Sequence, residues 1–113
     1  LCQAYNKQYG TRFISCMPTN LYGEGDNFDL HTSHVLPALI AKIYEAHQNG
    51  APSVEVWGSG NVYREFLYID DMADATLFLM NNYDGDETIN VGTGSDCTIR
   101  EVAYLIKELV GYK

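Results

Sequence analysis

Arg64 and His34 are the two side chains in this sequence best suited to act on a ligand. Arg64 lies between the turn Gly58-Ser59-Gly60 and an apolar segment, Glu65-Phe66-Leu67-Tyr68-Ile69, that leads into Asp70-Asp71-Met72-Ala73. A guanidinium in that position can grip a diphosphate bidentately, which an ammonium cannot. The competing reading is a surface salt bridge to Glu65, Asp70 or Asp71. His34 falls at the start of a helical pattern and brings an imidazole, the group that gives and takes protons near neutral pH. It could equally be a first-turn histidine bonded to backbone or water. Lys42 is a further cation on the same helix, or a solvated charge beside Glu45. Trp57, the single tryptophan, either stacks on a ligand's ring or fills a gap between strand and helix.

Other groupings carry less. His31 and His34 stand three apart, but with no third ligand in view a zinc site is rejected. Gly92-x-Gly94 and Gly58-x-Gly60 look like phosphate loops, yet neither completes the six-residue glycine fingerprint of dinucleotide binding. Cys2, Cys16 and Cys97 are odd in number and irregularly spaced, which indicates neither a disulfide framework nor a thiolate metal site. Cys16 reads as inert core, and a reducing cytoplasm is the simplest setting.

The totals narrow the partners. Seven basic residues against fifteen acidic ones give a net charge of −8, which argues against non-specific binding to nucleic acid or an anionic membrane. Any anionic ligand must therefore be met locally. With 113 residues, 46% of them apolar, and no run long enough to span a bilayer, the chain is expected to be soluble and no larger than one ordinary domain. Leu1-Cys2-Gln3-Ala4-Tyr5-Asn6 reads as mid-helix and lacks the features of a signal peptide. The ending Gly111-Tyr112-Lys113 follows a helix with no closing strand. Both ends are expected to be cuts within a larger protein.

The elements that must position these residues follow from periodicity. Residues 1–9 read as a helix stopped by Gly10, and residues 11–17 as a strand ended by Pro18. A long loop over residues 19–32 follows, of a length that in compact domains is functional or disordered. Ser33 is expected to cap a helix with Leu36, Leu39, Ile40 and Ile43 inward, Pro37 in its first turn and Gly50 at its end. Residues 53–57 and 65–69 read as short strands about the Gly58-Ser59-Gly60 turn. Asp70 or Asp71 is expected to cap a helix over 72–80 that is apolar on most sides and so buried. A strand over 88–91 and a turn over 92–95 precede the last helix. Its signature is a capping box, Thr98-x-x-Glu101, and a face of Ile99, Val102, Ala103, Ile106, Leu109 and Val110. Strands separated by helices predict an α/β fold with a mostly parallel sheet.

Three segments then take on a joint meaning. Met17-Pro18-Thr19-Asn20-Leu21-Tyr22-Gly23, the run from Arg64 to Ala73, and Asn90-Val91-Gly92-Thr93-Gly94 resemble the C-terminal half of the extended short-chain dehydrogenases/reductases that act on nucleotide sugars. The segment from Asp26 to Ile40, with Val56-Trp57-Gly58-Ser59-Gly60, is similar to those that convert GDP-4-keto-6-deoxymannose to GDP-L-fucose. The likeness spans essentially the whole chain.

The resemblance implies the final part of a Rossmann domain, a doubly wound parallel sheet, plus a smaller mixed α/β substrate-binding domain. Residues 1–23 would close the NADP-binding domain, with later elements returning to it, and residues 24–113 would be mainly substrate-binding. It further implies epimerisation at carbons three and five of the sugar, then hydride transfer from NADPH to carbon four, in a cytoplasmic homodimer. His34 matches the epimerisation acid and lies at the cofactor. Lys42, Trp57 and Arg64 match residues contacting the GDP-sugar. Pro18, Thr19, Asn20 and Leu21 match the loop passing the nicotinamide, with Asn20 also near the sugar. Arg64 and His34 would then reach opposite ends of one activated hexose.

Parts of the family pattern are absent: the glycine-rich loop, the catalytic serine, the Tyr-x-x-x-Lys pair and the epimerising cysteine lie upstream of the matched region. Neither Tyr5 nor Tyr9 is followed by lysine four positions on, and Cys16 does not occupy the position of the cysteine base. Glu24 stands where relatives often have proline. Alone, this chain is expected not to turn over. The rival readings are another NAD(P)-dependent nucleotide-sugar epimerase or dehydratase of the same superfamily, and a non-catalytic binding module.

Overall fold

The computed structural model describes Leu1–Lys113 and divides into two compact units. One comprises Leu1–Gly23 with Glu65–Ser95; the other comprises Glu24–Arg64 with Asp96–Lys113. The chain thus crosses between units three times, once between the neighbours Arg64 and Glu65.

In the first unit, helix α1 (Cys2–Tyr9) ends where Gly10 takes up a left-handed conformation, φ 67°. Strand β1 (Cys16–Pro18) is shorter than the expected 11–17. The reason is Asn6, whose Oδ1 accepts from the Phe13 N–H and the Thr11 hydroxyl while its Nδ2 donates to the Phe13 carbonyl. A side chain therefore satisfies backbone that a strand partner would otherwise take. β1 pairs in parallel with β5 (Ile89–Val91). The supposed loop over 19–32 begins with a strand, β2 (Asn20–Tyr22), parallel to β4 (Phe66–Tyr68). Three residues were too few to show an alternating pattern.

Helix α3 (Ile69–Asn82) follows β4 with no intervening turn, and Tyr68 is its N-cap. Asp70 and Asp71 sit inside the first turn, where they complement the positive helix end instead of capping it. The expected burial is not seen. Met72 is buried, but Leu77, Phe78 and Met80 are exposed, because α3 meets the strands of its unit along one side only.

The second unit is built on two helices. Helix α2 (Val35–Asn49) lays Leu36, Leu39, Ile43 and Ala46 against Ile99, Val102 and Ile106 of helix α4 (Ile99–Val110). Ile43, 3% exposed, is the most buried of these. Its truncation to alanine is expected to destabilise the unit by about 2–5 kcal/mol. The α4 capping box is formed: the Thr98 hydroxyl accepts from the Glu101 N–H at 3.1 Å, and Glu101 accepts from the Thr98 N–H at 2.7 Å. Leu109 departs from the expected inward face and is exposed.

α2 starts one residue later than expected, with His34 and not Ser33 as N-cap. The Thr32 and Ser33 N–H groups both donate to the Asp29 carbonyl, so a turn holds this stretch out of the helix. Upstream, Asp26, Asn27 and Asp29 bond backbone N–H groups through their own side chains, as turn-forming residues do. Residues 53–57 do not form a strand: Val54 and Val56 alternate inward, but no partner strand lies beside them. Instead β3 (Tyr63–Arg64) pairs antiparallel with β6 (Cys97–Thr98). The α/β class holds, with two parallel pairs and one antiparallel pair in place of one mostly parallel sheet.

Candidate functional site

Four of the candidate residues lie in the second unit. Lys42 projects from the middle of α2, and its Nζ stands 3.7 Å from the centroid of the Trp57 ring. That is a close cation–π contact. Trp57 fills no gap in a core, being 70% exposed. Positive charge and an open aromatic face are thus held together on a chain that is otherwise strongly acidic.

Arg64 ends β3 and is exposed. Its Nη1 donates to the carbonyl of Tyr63 at 2.8 Å, which anchors one edge of the guanidinium and leaves its other donors to spare. Of the carboxylates weighed as its partners, Glu65 is engaged elsewhere, as described below. His34 is exposed at the N-cap of α2 and makes no side-chain capping bond, so the reading of a histidine tied to the helix backbone does not hold.

The structure joins Lys42 to Trp57. No hydrogen bond or ring contact links His34 or Arg64 to that pair or to each other. A cavity of about 420 Å³ in this unit is lined by Ile43, Val54, Arg100, Lys107 and Tyr112 among others, and by none of the four. The Gly58-Ser59-Gly60 turn is not a free phosphate loop, since Arg100 donates to the Ser59 carbonyl from its side chain and to the Gly60 carbonyl from its backbone.

The first unit holds Pro18, Thr19, Asn20 and Leu21. Pro18 ends β1 beside Val91, and Leu21 pairs with Leu67, so both are placed by strand register. The Thr19 N–H donates to the Val91 carbonyl, while its hydroxyl is buried with no partner. Asn20 donates to the Glu65 carbonyl twice, from its backbone N–H at 3.2 Å and from Nδ2 at 3.3 Å. The Gly92-Thr93-Gly94 turn is committed too: the Gly94 N–H donates to Glu65 Oε1 at 2.8 Å, and the Thr93 hydroxyl to the same oxygen at 3.3 Å.

Glu65 is thus a residue that sequence reasoning passed over, weighed there only as a salt-bridge partner. The available signal was a carboxylate at the head of an apolar strand, near a glycine-rich turn. Titration marks other places. Hydrogen bonds from Thr98 hold the Glu101 carboxyl below its ordinary range, and burial raises the Cys97 thiol, assisted by Glu101 and Asp96. Cys97 and Cys16 are partly buried and unpaired, and no cluster of potential metal ligands occurs. No helix is long and apolar enough to cross a membrane.

The profile of the NAD dependent epimerase/dehydratase family matches residues 1–92, and the chain belongs to that family. It is 55% identical over 112 residues to GDP-L-fucose synthase 1 of Arabidopsis thaliana, covering 99% of this chain and 35% of that protein. It is 52% identical over 122 residues to GDP-L-fucose synthase of Escherichia coli, covering 100% of this chain and 38% of that protein. Among solved structures, a GDP-L-fucose synthetase from Naegleria fowleri bound to NADP superposes with a TM-score of 0.85 at 39% identity, over 98% of this chain and 35% of that one. The chain spans about a third of the length of these relatives.

Proposed function

We propose that this chain is the substrate-binding part of an NADPH-dependent epimerase-reductase that converts GDP-4-keto-6-deoxy-D-mannose to GDP-L-fucose. The observation that carries the reading is identity above half, across the whole chain, to GDP-L-fucose synthases of a plant and a bacterium. The geometry agrees with it in kind. In this reading Trp57 and Lys42 hold the nucleotide end of a GDP-sugar, and Arg64 uses its remaining donors on the diphosphate. His34, exposed and free of a capping bond, returns a proton to the enediolate formed beside the ketone.

The first unit would close the Rossmann domain, and the second would bind the sugar nucleotide. Residues 18–21 would border the nicotinamide end of NADPH, which supplies the hydride when bound. The acceptor oxygen of the exposed Asn20 suits the polar edge of such a group. A cytoplasmic homodimer belongs to the same reading.

The test is ligand protection of the full-length protein that carries this segment. GDP is expected to raise its melting temperature where UDP and dTDP do not, and the keto sugar to support NADPH oxidation. Protection by UDP or dTDP instead would favour a different nucleotide-sugar epimerase or dehydratase. Protection by GDP with no turnover would favour a binding module. The isolated 113-residue chain is expected to oxidise no NADPH, and measurable turnover by it would contradict the division of labour proposed here.

A further inference from the structure

We infer that Glu65 is a positioning residue for the dinucleotide, acting through Asn20 and the Gly92-Thr93-Gly94 turn. The inference rests on the reading above that residues 18–21 border the nicotinamide. Glu65 is half-buried, and it joins three stretches of the first unit with its two ends. Its carbonyl receives both donors of Asn20, and its carboxylate receives the Gly94 N–H and the Thr93 hydroxyl.

Two consequences follow for the segment that would meet the cofactor. With Nδ2 drawn to the Glu65 carbonyl, the Asn20 amide is fixed in orientation, and its Oδ1 is the atom left to accept from a ligand. The turn is also pressed against the neighbouring residue: a Cβ on Gly92 would run into the Glu65 carboxylate and come within 2.8 Å of the Thr19 methyl. Gly92 does not have a positive φ, so space and not backbone conformation calls for glycine there. Thr19, whose hydroxyl is buried without a partner, is therefore held from one side by the turn that Glu65 anchors. The fixed Oδ1 of the exposed Asn20 is an acceptor for the N–H donors of a primary carboxamide.

The experiment measures NADPH dissociation by fluorescence in the full-length protein, with GDP affinity read in parallel. Glu65→Ala frees the turn and is expected to weaken NADPH about ten-fold, the effect of losing a charge-assisted bond. Glu65→Gln keeps an acceptor oxygen for the Gly94 N–H and is expected to stay within about three-fold of wild type. GDP affinity should be unchanged in both, because the proposed GDP contacts lie in the other unit. Gly92→Ala displaces the carboxylate independently and should reproduce the Glu65→Ala loss. In the double variant the two losses should not add.

A folded Glu65→Ala protein with wild-type NADPH affinity, or one losing NADPH and GDP equally, would overturn the proposal. Should Glu65→Ala not fold, Gly92→Ala decides by the same criteria. Wild-type protein that binds NADPH but not GDP would count against the proposed substrate alone, leaving Glu65 to be judged on NADPH. Wild-type protein that binds GDP but not NADPH would sink the Glu65 role.

Discussion

The two units treat their polar groups in opposite ways. In the first, the candidate segment is bound internally: Asn20 is held by Glu65, Thr19 by Val91, and the glycine turn by a carboxylate. In the second, the candidate side chains face outward with few bonds of their own: Trp57 is largely exposed, Arg64 has one backbone contact, and His34 has no capping bond. The difference teaches that one surface is preformed, while the other keeps donors and an aromatic face available for a ligand to organise. Preformed hydrogen bonds give orientation, whereas unsatisfied exposed charge gives affinity once a ligand of opposite sign arrives.

The sharpest break of that comparison is at His34. If its imidazole is kept free in order to move a proton, His34→Gln in the full-length protein should slow epimerisation by about 10²- to 10⁴-fold. Hydride transfer to an already epimerised substrate should be largely retained. Equal loss of both half-reactions would make His34 a structural cap instead. Arg64 comes next. Arg64→Ala should weaken GDP-sugar binding by about ten- to a hundred-fold, the effect of losing a charge-assisted contact of about 1.5–3 kcal/mol. Titration calorimetry giving an unchanged affinity would remove Arg64 from the diphosphate.

How far these regions could be read in advance depended on whether local chemistry determined them. Helix α4 was legible almost to the residue, because the capping box and a strong apolar periodicity agree within one segment. α1 was legible by its end, where Gly10 takes up the left-handed conformation that stops a helix. Helix α3 was found, but its burial was misjudged, since an apolar composition does not say which neighbours are present to cover it. β2, β3 and β6 were missed, because strands of two or three residues are defined by their partners. At the candidate site, residue types pointed to Arg64, His34, Lys42 and Trp57 individually. The contact between Lys42 and Trp57 joins residues fifteen apart, across a helix end and an irregular stretch, so no periodicity could announce it. Glu65 escaped for a related reason: its partners Asn20 and Gly94 are far from it in the chain and close only once β2 and β4 pair.

A smaller effect tests whether internally committed bonds can be lost without touching the ligand surface. Thr98→Ala removes the α4 cap and should lower stability by about 1 kcal/mol, read as a reduced denaturation midpoint, with GDP affinity unchanged. The partner carboxylate gives the same bond a pH signature. Because Glu101 is held below its ordinary range in the folded chain, the stabilisation is fully present above the unfolded carboxyl pKa. It is lost as pH falls through the lower folded value. Glu101→Gln should therefore flatten the acid side of the stability profile, and an unchanged profile would show that the box carries no proton-linked stability.

The smallest effect bears most directly on the open surface. Lys42→Met removes the ammonium from the Trp57 face while keeping a long apolar side chain on α2. An exposed cation–π contact contributes about 0.5–1 kcal/mol, so GDP affinity should fall only about two- to five-fold if Lys42 mainly holds the ring in place. Trp57 is the only tryptophan in this chain. In the full-length protein with any other tryptophan replaced by phenylalanine, its emission should change on removal of the ammonium and change again on adding GDP. A shift on GDP addition in the wild type that vanishes in Lys42→Met would mean that the ligand acts by displacing the ammonium, and the pair would be a gate. A shift that persists with slightly weaker binding would mean that the ring itself receives the nucleotide. The second outcome is the one expected, because a side chain 70% exposed has a surface to offer a ligand while the lysine stays where it is.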